Sequence, residues 1–150
     1  MANIIFFDID DVIFKTALFI ESGLKKYEPY EDAKEVIEKL GNEFEIGILS
    51  KGEYDFQINK LTKTKLLKLF KKENIFIVEE KNKIIKDICK KFKQKVIYVL
   101  DDRIDSLDKI KKSCSNIKTV LIKRGRHQDI KSNYCPDFTI NNLYGLLEIL

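Results

Sequence analysis

Residues 4–12 read IIFFDIDDV, four consecutive large apolar side chains followed by acids at positions 8, 10 and 11. An apolar run without polar alternation suits a strand covered on both faces, as in parallel sheets. The pattern recurs along the chain. Apolar runs at 44–49, 75–78, 96–100, 117–122 and 138–140 predict five more strands. Between them lie stretches of helical period at 31–40 (Ala33, Val36, Ile37, Leu40), 54–70, 84–92, 106–112 and 142–150, which predict helices. Strands alternating with helices imply βαβ units, so the expected fold is α/β, a three-layer sandwich with a central parallel sheet. A length of 150 residues fits one domain, 1–150, better than two. Only residues 14–30 fit neither period, and they are expected to form a flap.

Composition narrows the function. An apolar fraction of 44% beside 35% charged residues describes a globular chain and excludes a disordered one. No apolar run approaches the ~18 residues that span a bilayer, and the N-terminus carries acids where a secretion signal needs a basic flank. The expected location is therefore cytoplasmic, with no membrane span. The net charge is +4, but of 28 basic residues only Arg103, Arg124 and Arg126 are arginine. Lysines interleaved with acids read as solvated helix faces, because phosphate and base recognition favours the guanidinium fork. The stretch 60–72, KLTKTKLLKLFKK, keeps an alternative open: a basic-surface module for nucleic acid or another polyanion. Its leucines are expected to face the sheet instead. Cys89, Cys114 and Cys135 have no C-x-x-C spacing, and the single His127 completes no zinc set, so all three thiols are expected to be reduced. Neither GxxxxGK[ST] nor GxGxxG occurs. A response-regulator receiver would need a lone Asp after the third strand, and none is there.

In open parallel sheets, ligands bind beyond the carboxyl ends of the strands, so the residues after each strand matter most. They are Asp8, Asp10 and Asp11 after the first, Ser50 after the second, Glu79, Glu80 and Lys81 after the third, and Asp101 and Asp102 after the fourth, with Asp105 close behind. Carboxylates meeting at one edge repel unless a cation neutralises them, and all-oxygen ligation is what Mg²⁺ prefers. A lysine and a hydroxyl complement a phosphate dianion. A carboxylate can attack phosphorus, and a second one two residues on can protonate the leaving oxygen and later activate water. The set reads as phosphoryl transfer.

IIFFDIDDV resembles the first motif of the haloacid dehalogenase superfamily of phosphohydrolases, an apolar strand followed by DxDx[TV]. The resemblance implies Asp8 as nucleophile, Asp10 as general acid and base, and Val12 in the Thr/Val slot. FEIGILS (44–50) is similar to the second motif, which makes Ser50 a phosphate-binding residue, with Lys51 beside it. Lys81 resembles the third-motif lysine, with Lys83 as the alternative. VIYVLDDRID (96–105) resembles the fourth motif, with Asp101 as metal carboxylate and Asp102 and Asp105 as companions. The implied Mg²⁺ set is Asp8, Asp10, Asp101, Asp102 and Asp105.

SKG (50–52), then Gln57, Lys60 and VEEK (78–81), is similar to a phosphatase-like branch that carries TKG, a following Q and K, and an EK ahead of the helix. PDFTINNLYGLLEIL (136–150) resembles the terminal strand and helix of many members. The resemblance covers about residues 4–126 plus this tail. It departs at Leu100 and Asp11, where glycine is common. The implied activity is Mg²⁺-dependent hydrolysis of a phosphate monoester through an aspartyl-phosphate. Many members insert a cap domain, but here only about 16 residues are left for a flap, too few for a packed domain. An uncapped site suits a macromolecular phosphorylated substrate such as a phosphoprotein, a nucleic-acid end or a carrier-bound sugar phosphate, or else an oligomer in which a neighbour supplies the lid.

Overall fold

The computed structural model of the protein describes residues 2–150. Six strands form one parallel sheet: β1 (Ile4–Phe7), β2 (Glu45–Lys51), β3 (Ile75–Val78), β4 (Ile97–Asp101), β5 (Lys118–Ile122) and β6 (Phe138–Ile140). Their order is β3-β2-β1-β4-β5-β6, so the chain reverses its direction of travel between β1 and β4. Among the described residues six α-helices accompany the strands: α1 (Thr16–Glu21), α2 (Ala33–Leu40), α3 (Tyr54–Lys63), α4 (Lys81–Lys91), α5 (Ile104–Ser113) and, after β6, α6 (Tyr144–Ile149). This is the three-layer α/β sandwich expected, with no sizeable cap domain. Among the described residues, no helix is long and apolar enough to cross a membrane.

All four β1 residues are buried, and alternation divides them between two cores. Ile5 and Phe7 join the core containing Val36, Ile37, Leu61 and Leu146 of α2, α3 and α6. Ile4 and Phe6 join the one containing Ile85, Ile88, Leu107 and Ile110 of α4 and α5. Gly47 of β2 makes room for this second core, since a Cβ there would lie 2.6 Å from the Phe6 ring and 2.7 Å from the Asn74 carbonyl.

Three local expectations are corrected. The helix expected over 54–70 stops at Lys63, because Lys65 turns into the left-handed region (φ 62°), and the chain continues as a 3₁₀ turn at Leu67–Leu69. Leu61, Leu66 and Phe70 are buried as the amphipathic reading expected, but so is Lys60. The thiols are not all reduced: Cys89 of α4 is disulfide-bonded to Cys114 after α5, while Cys135 is free and exposed. Both bonded residues lie against the α4–α5 core, on helices that run side by side on the same face of the sheet.

The segment over 14–30 contains the short α1, and its base is tied by Lys15 N–H to the Glu28 carbonyl and Tyr30 N–H to the Ile13 carbonyl. Phe14 and Phe19 anchor it in the core. Ile20 and Leu24 remain exposed.

Candidate active site

Parallel pairing sets Phe7 opposite Leu100, and the Asp8 N–H donates to the Leu100 carbonyl at 3.1 Å. The next residue on each strand is an acid, so Asp8 and Asp101 emerge side by side where the strand order reverses. Lys81, the first residue of α4, lies against both: its Nζ donates to Asp101 Oδ2 at 2.6 Å and sits 3.2 Å from Asp8 Oδ2. Lys83 points to solvent, its side chain 76% exposed and paired with Glu80. Of the two lysines, the structure brings Lys81 to the carboxylates.

Asp8, Asp101 and Asp102 place ligand oxygens within 4.8 Å of one another, all three residues buried. Burial pushes Asp8 up to about 7, helped by the charges of Asp101 and Asp10, although Lys81 and the Ile9 N–H oppose the rise. Burial, with Asp101, Asp8 and Asp11 nearby, pushes Asp102 up to about 9. Burial also opposes ionisation of Asp101, but Lys81 and the Arg103 N–H outweigh it and hold its carboxyl below the usual range. For Lys81, burial works against the charge and is outweighed by Asp101 and Asp8, so the ammonium is retained well above the ordinary range. One ammonium among three buried carboxyls leaves the group short of positive charge, and hard oxygen donors suit a divalent cation such as Mg²⁺.

Two acids of the expected metal set fall outside this group of three. Asp105 is partly exposed and forms a fork with Arg103 at 3.0 and 3.2 Å. It is the first-turn acid of α5, where it lines the same cavity as Asp8 and Asp101. The Asp10 carboxylate accepts from Thr16 Oγ1 (3.0 Å) and Lys60 Nζ (2.8 Å) on Oδ1, and from Gln57 Nε2 (3.1 Å) on Oδ2. Gln57 Nε2 also donates to Ser50 Oγ at 2.9 Å, so one amide links the hydroxyl at the end of β2 to the acid after β1. Lys51 is exposed beside them. Together with Asp8, Glu79, Lys81, Asp101 and Arg103, it lines a cavity of about 330 Å³ at the sheet edge.

Sequence reading missed a second layer of contacts. Asp11 has φ 63°, the left-handed conformation that glycine adopts most readily. Its N–H donates to Thr16 Oγ1 at 3.1 Å, and its carboxylate meets Arg126 at 2.9 Å and His127 at 3.5 Å. The His127 Nδ1 lies 2.9 Å from Asp102 Oδ2. Gly125, just before this pair, has φ 79°, and a Cβ there would come within 2.5 Å of the Asp11 Cβ. The juxtaposition GRH was the one signal available for these residues, and it has no fixed spacing to the acids it serves.

No protein-family model and no curated protein sequence matches the chain. Solved structures do. A protein described as a haloacid dehalogenase-like hydrolase, from Burkholderia xenovorans LB400, superposes with a TM-score of 0.82 at 17% identity, over 99% of this chain and 97% of that one. A protein described as a phosphatase, from Clostridium difficile, gives 0.80 at 15% identity, covering 99% and 98%. The HAD-hydrolase YfnB from Bacillus subtilis, bound to magnesium, gives 0.78 at 14%, again covering 99% and 98%. The fold is therefore that of the haloacid dehalogenase-like hydrolases. Phosphatases and dehalogenases both occur among the structures that share it.

Proposed function

We infer that the chain is a phosphohydrolase that cleaves a phosphate monoester through an aspartyl-phosphate on Asp8 and depends on a divalent cation. The observation that carries this reading is the pairing of two differently equipped acids after β1. Asp8 lies among buried carboxyls and Lys81, whereas Asp10 is held by three donors, one of them shared with Ser50. Displacing a halide from carbon requires no proton for the leaving group. An ester oxygen does, and a second acid two residues after Asp8 can carry that proton, which favours the phosphatase over the dehalogenase reading.

In the first half-reaction, an Asp8 carboxylate oxygen attacks phosphorus as the bond to the ester oxygen breaks, and Asp10 gives that oxygen its proton. Asp10 then takes a proton from water, whose oxygen attacks phosphorus. The bond to Asp8 breaks, releasing inorganic phosphate and restoring both side chains. Lys81 and the Ser50 hydroxyl stabilise charge on the phosphoryl oxygens. Mg²⁺ held by Asp8, Asp101 and Asp102 would supply charge neutralisation for an incoming phosphate dianion. With only the short segment over 14–30 inserted after β1 beside the site, the reading extends to phosphoesters carried on large molecules.

The test is a screen of phosphate monoesters with and without Mg²⁺, run beside Asp8→Asn. Metal-dependent release of phosphate by the parent is expected. The near-isosteric variant should be at least about 10³-fold slower and remain folded, with a melting temperature no lower than the parent's because one buried like charge is gone. Parent-level turnover by Asp8→Asn would refute the mechanism.

A further inference from the structure

Lys60 is out of place for a lysine. It is only 3% exposed, on a helix that otherwise buries Gln57 and Leu61. Among the described residues its ammonium has one ionic partner, Asp10 Oδ1 at 2.8 Å. Around it stand three rings: Nζ lies 4.6 Å from the centroid of Phe56 and 5.4 Å from those of Phe14 and Phe19. Phe14 and Phe19 pack edge to face at 5.4 Å, and Phe19 and Phe56 lie 6.0 Å apart. Two sides of the box thus come from the segment over 14–30, and the third from the first turn of α3. Losing hydration is costly for an ammonium, and one carboxylate with three π faces returns only part of that cost. A methionine would fill the same box without it.

We propose that Lys60 is the positioning residue of Asp10, a cation kept in an aromatic box to aim the general acid and base. The proposal rests on the phosphatase reading of Asp10. Lys60 touches no reacting atom and moves no proton. It fixes the carboxylate oxygen that Thr16 also holds, while Gln57 holds the other. Without it, two neutral donors remain. Asp10 keeps access to water, its side chain being 26% exposed, so the carboxylate is not stranded but loses its fixed direction. An acid displaced by about 1 Å from the oxygen it must protonate can cost a hundredfold in rate.

Lys60→Met removes the charge and keeps the length and apolar volume. Its melting temperature should equal or exceed the parent's, because the buried charge is gone. On an alkyl phosphate monoester, KM should stay within about twofold, while kcat falls roughly 10- to 100-fold. The double variant Lys60→Met/Asp10→Asn should be no slower than Asp10→Asn alone, because aim matters only to a carboxylate that can carry the proton. A kcat equal to the parent's overturns the proposal, as do losses that multiply in the double variant. A drop in melting temperature also overturns it, since the lysine would then be structural. A parent protein that hydrolyses no phosphate monoester overturns the phosphatase reading and this proposal together, and that result is seen before any variant is made.

Discussion

Lys81 and Lys83 are identical side chains two residues apart, and helix geometry alone separates their roles. The first residue of α4 turns into the carboxyl group of β1 and β4, while the third faces solvent. A donor aimed at charge that develops in the transition state contributes about 10²–10³ in kcat when removed alone. Lys81→Ala is expected to lose at least that and to weaken binding of a phosphate mimic such as vanadate. Lys83→Ala should stay within about twofold of the parent, since its exposed pair with Glu80 does little. Titration of vanadate into both variants checks the difference, and equal losses would contradict it. A lysine close behind the third strand was readable from sequence. The EK ahead of the helix favours Lys81 over Lys83, and the helix starting at residue 81 rather than at 84 brings Lys81 to the acids.

At the level of elements, the six strands were legible to within a residue or two, because near-continuous apolar runs have few other ways to be buried. What escaped was set by contacts remote in sequence or by single backbone angles. Lys65 at φ 62° ends α3 early, and no periodicity announces such a turn. Thr16 holds both Asp10 and Asp11 from a segment that fits no pattern. His127 lies against Asp102 only because β5 follows β4 in the sheet. The Cys89–Cys114 bond likewise depends on α4 and α5 being neighbours. With a separation of 25 residues, it is expected to contribute about 3 kcal/mol by limiting the unfolded chain. Cys89→Ser with Cys114→Ser should lower the melting temperature while leaving kcat within about twofold, because both sulfurs sit at the far ends of helices whose first turns border the site. Calorimetry of the double variant measures the first effect, and an unchanged transition would show that the bond adds nothing to stability.

For the whole molecule, the buried carboxyls make stability depend on pH and on cations together. Asp8 and Asp102 are raised to about 7 and about 9, against roughly 3.9 in the unfolded chain. Folding therefore favours their protonated forms. The stability this contributes is complete below about pH 4 and is lost as pH rises through the two folded values. Asp101, lowered instead, acts in the opposite sense and only at the acid end. In a chelator, the melting temperature should fall between neutral and mildly alkaline pH, and added Mg²⁺ should restore more of it the higher the pH. Thermal melts over that range check this, and a Mg²⁺ effect that shrinks with rising pH would contradict cation binding by these acids. The pairing of β1 with β4 has a consequence for how the chain reaches its native state. The first strand must wait beside β2 until most of the sequence has arrived before its other edge is covered, and long-range parallel pairing of this kind is slow. Asp8 is thus brought against Asp101 and Asp102 by one of the later events of folding, so a chain cut short before β4 would carry half a sheet and no assembled carboxyl cluster.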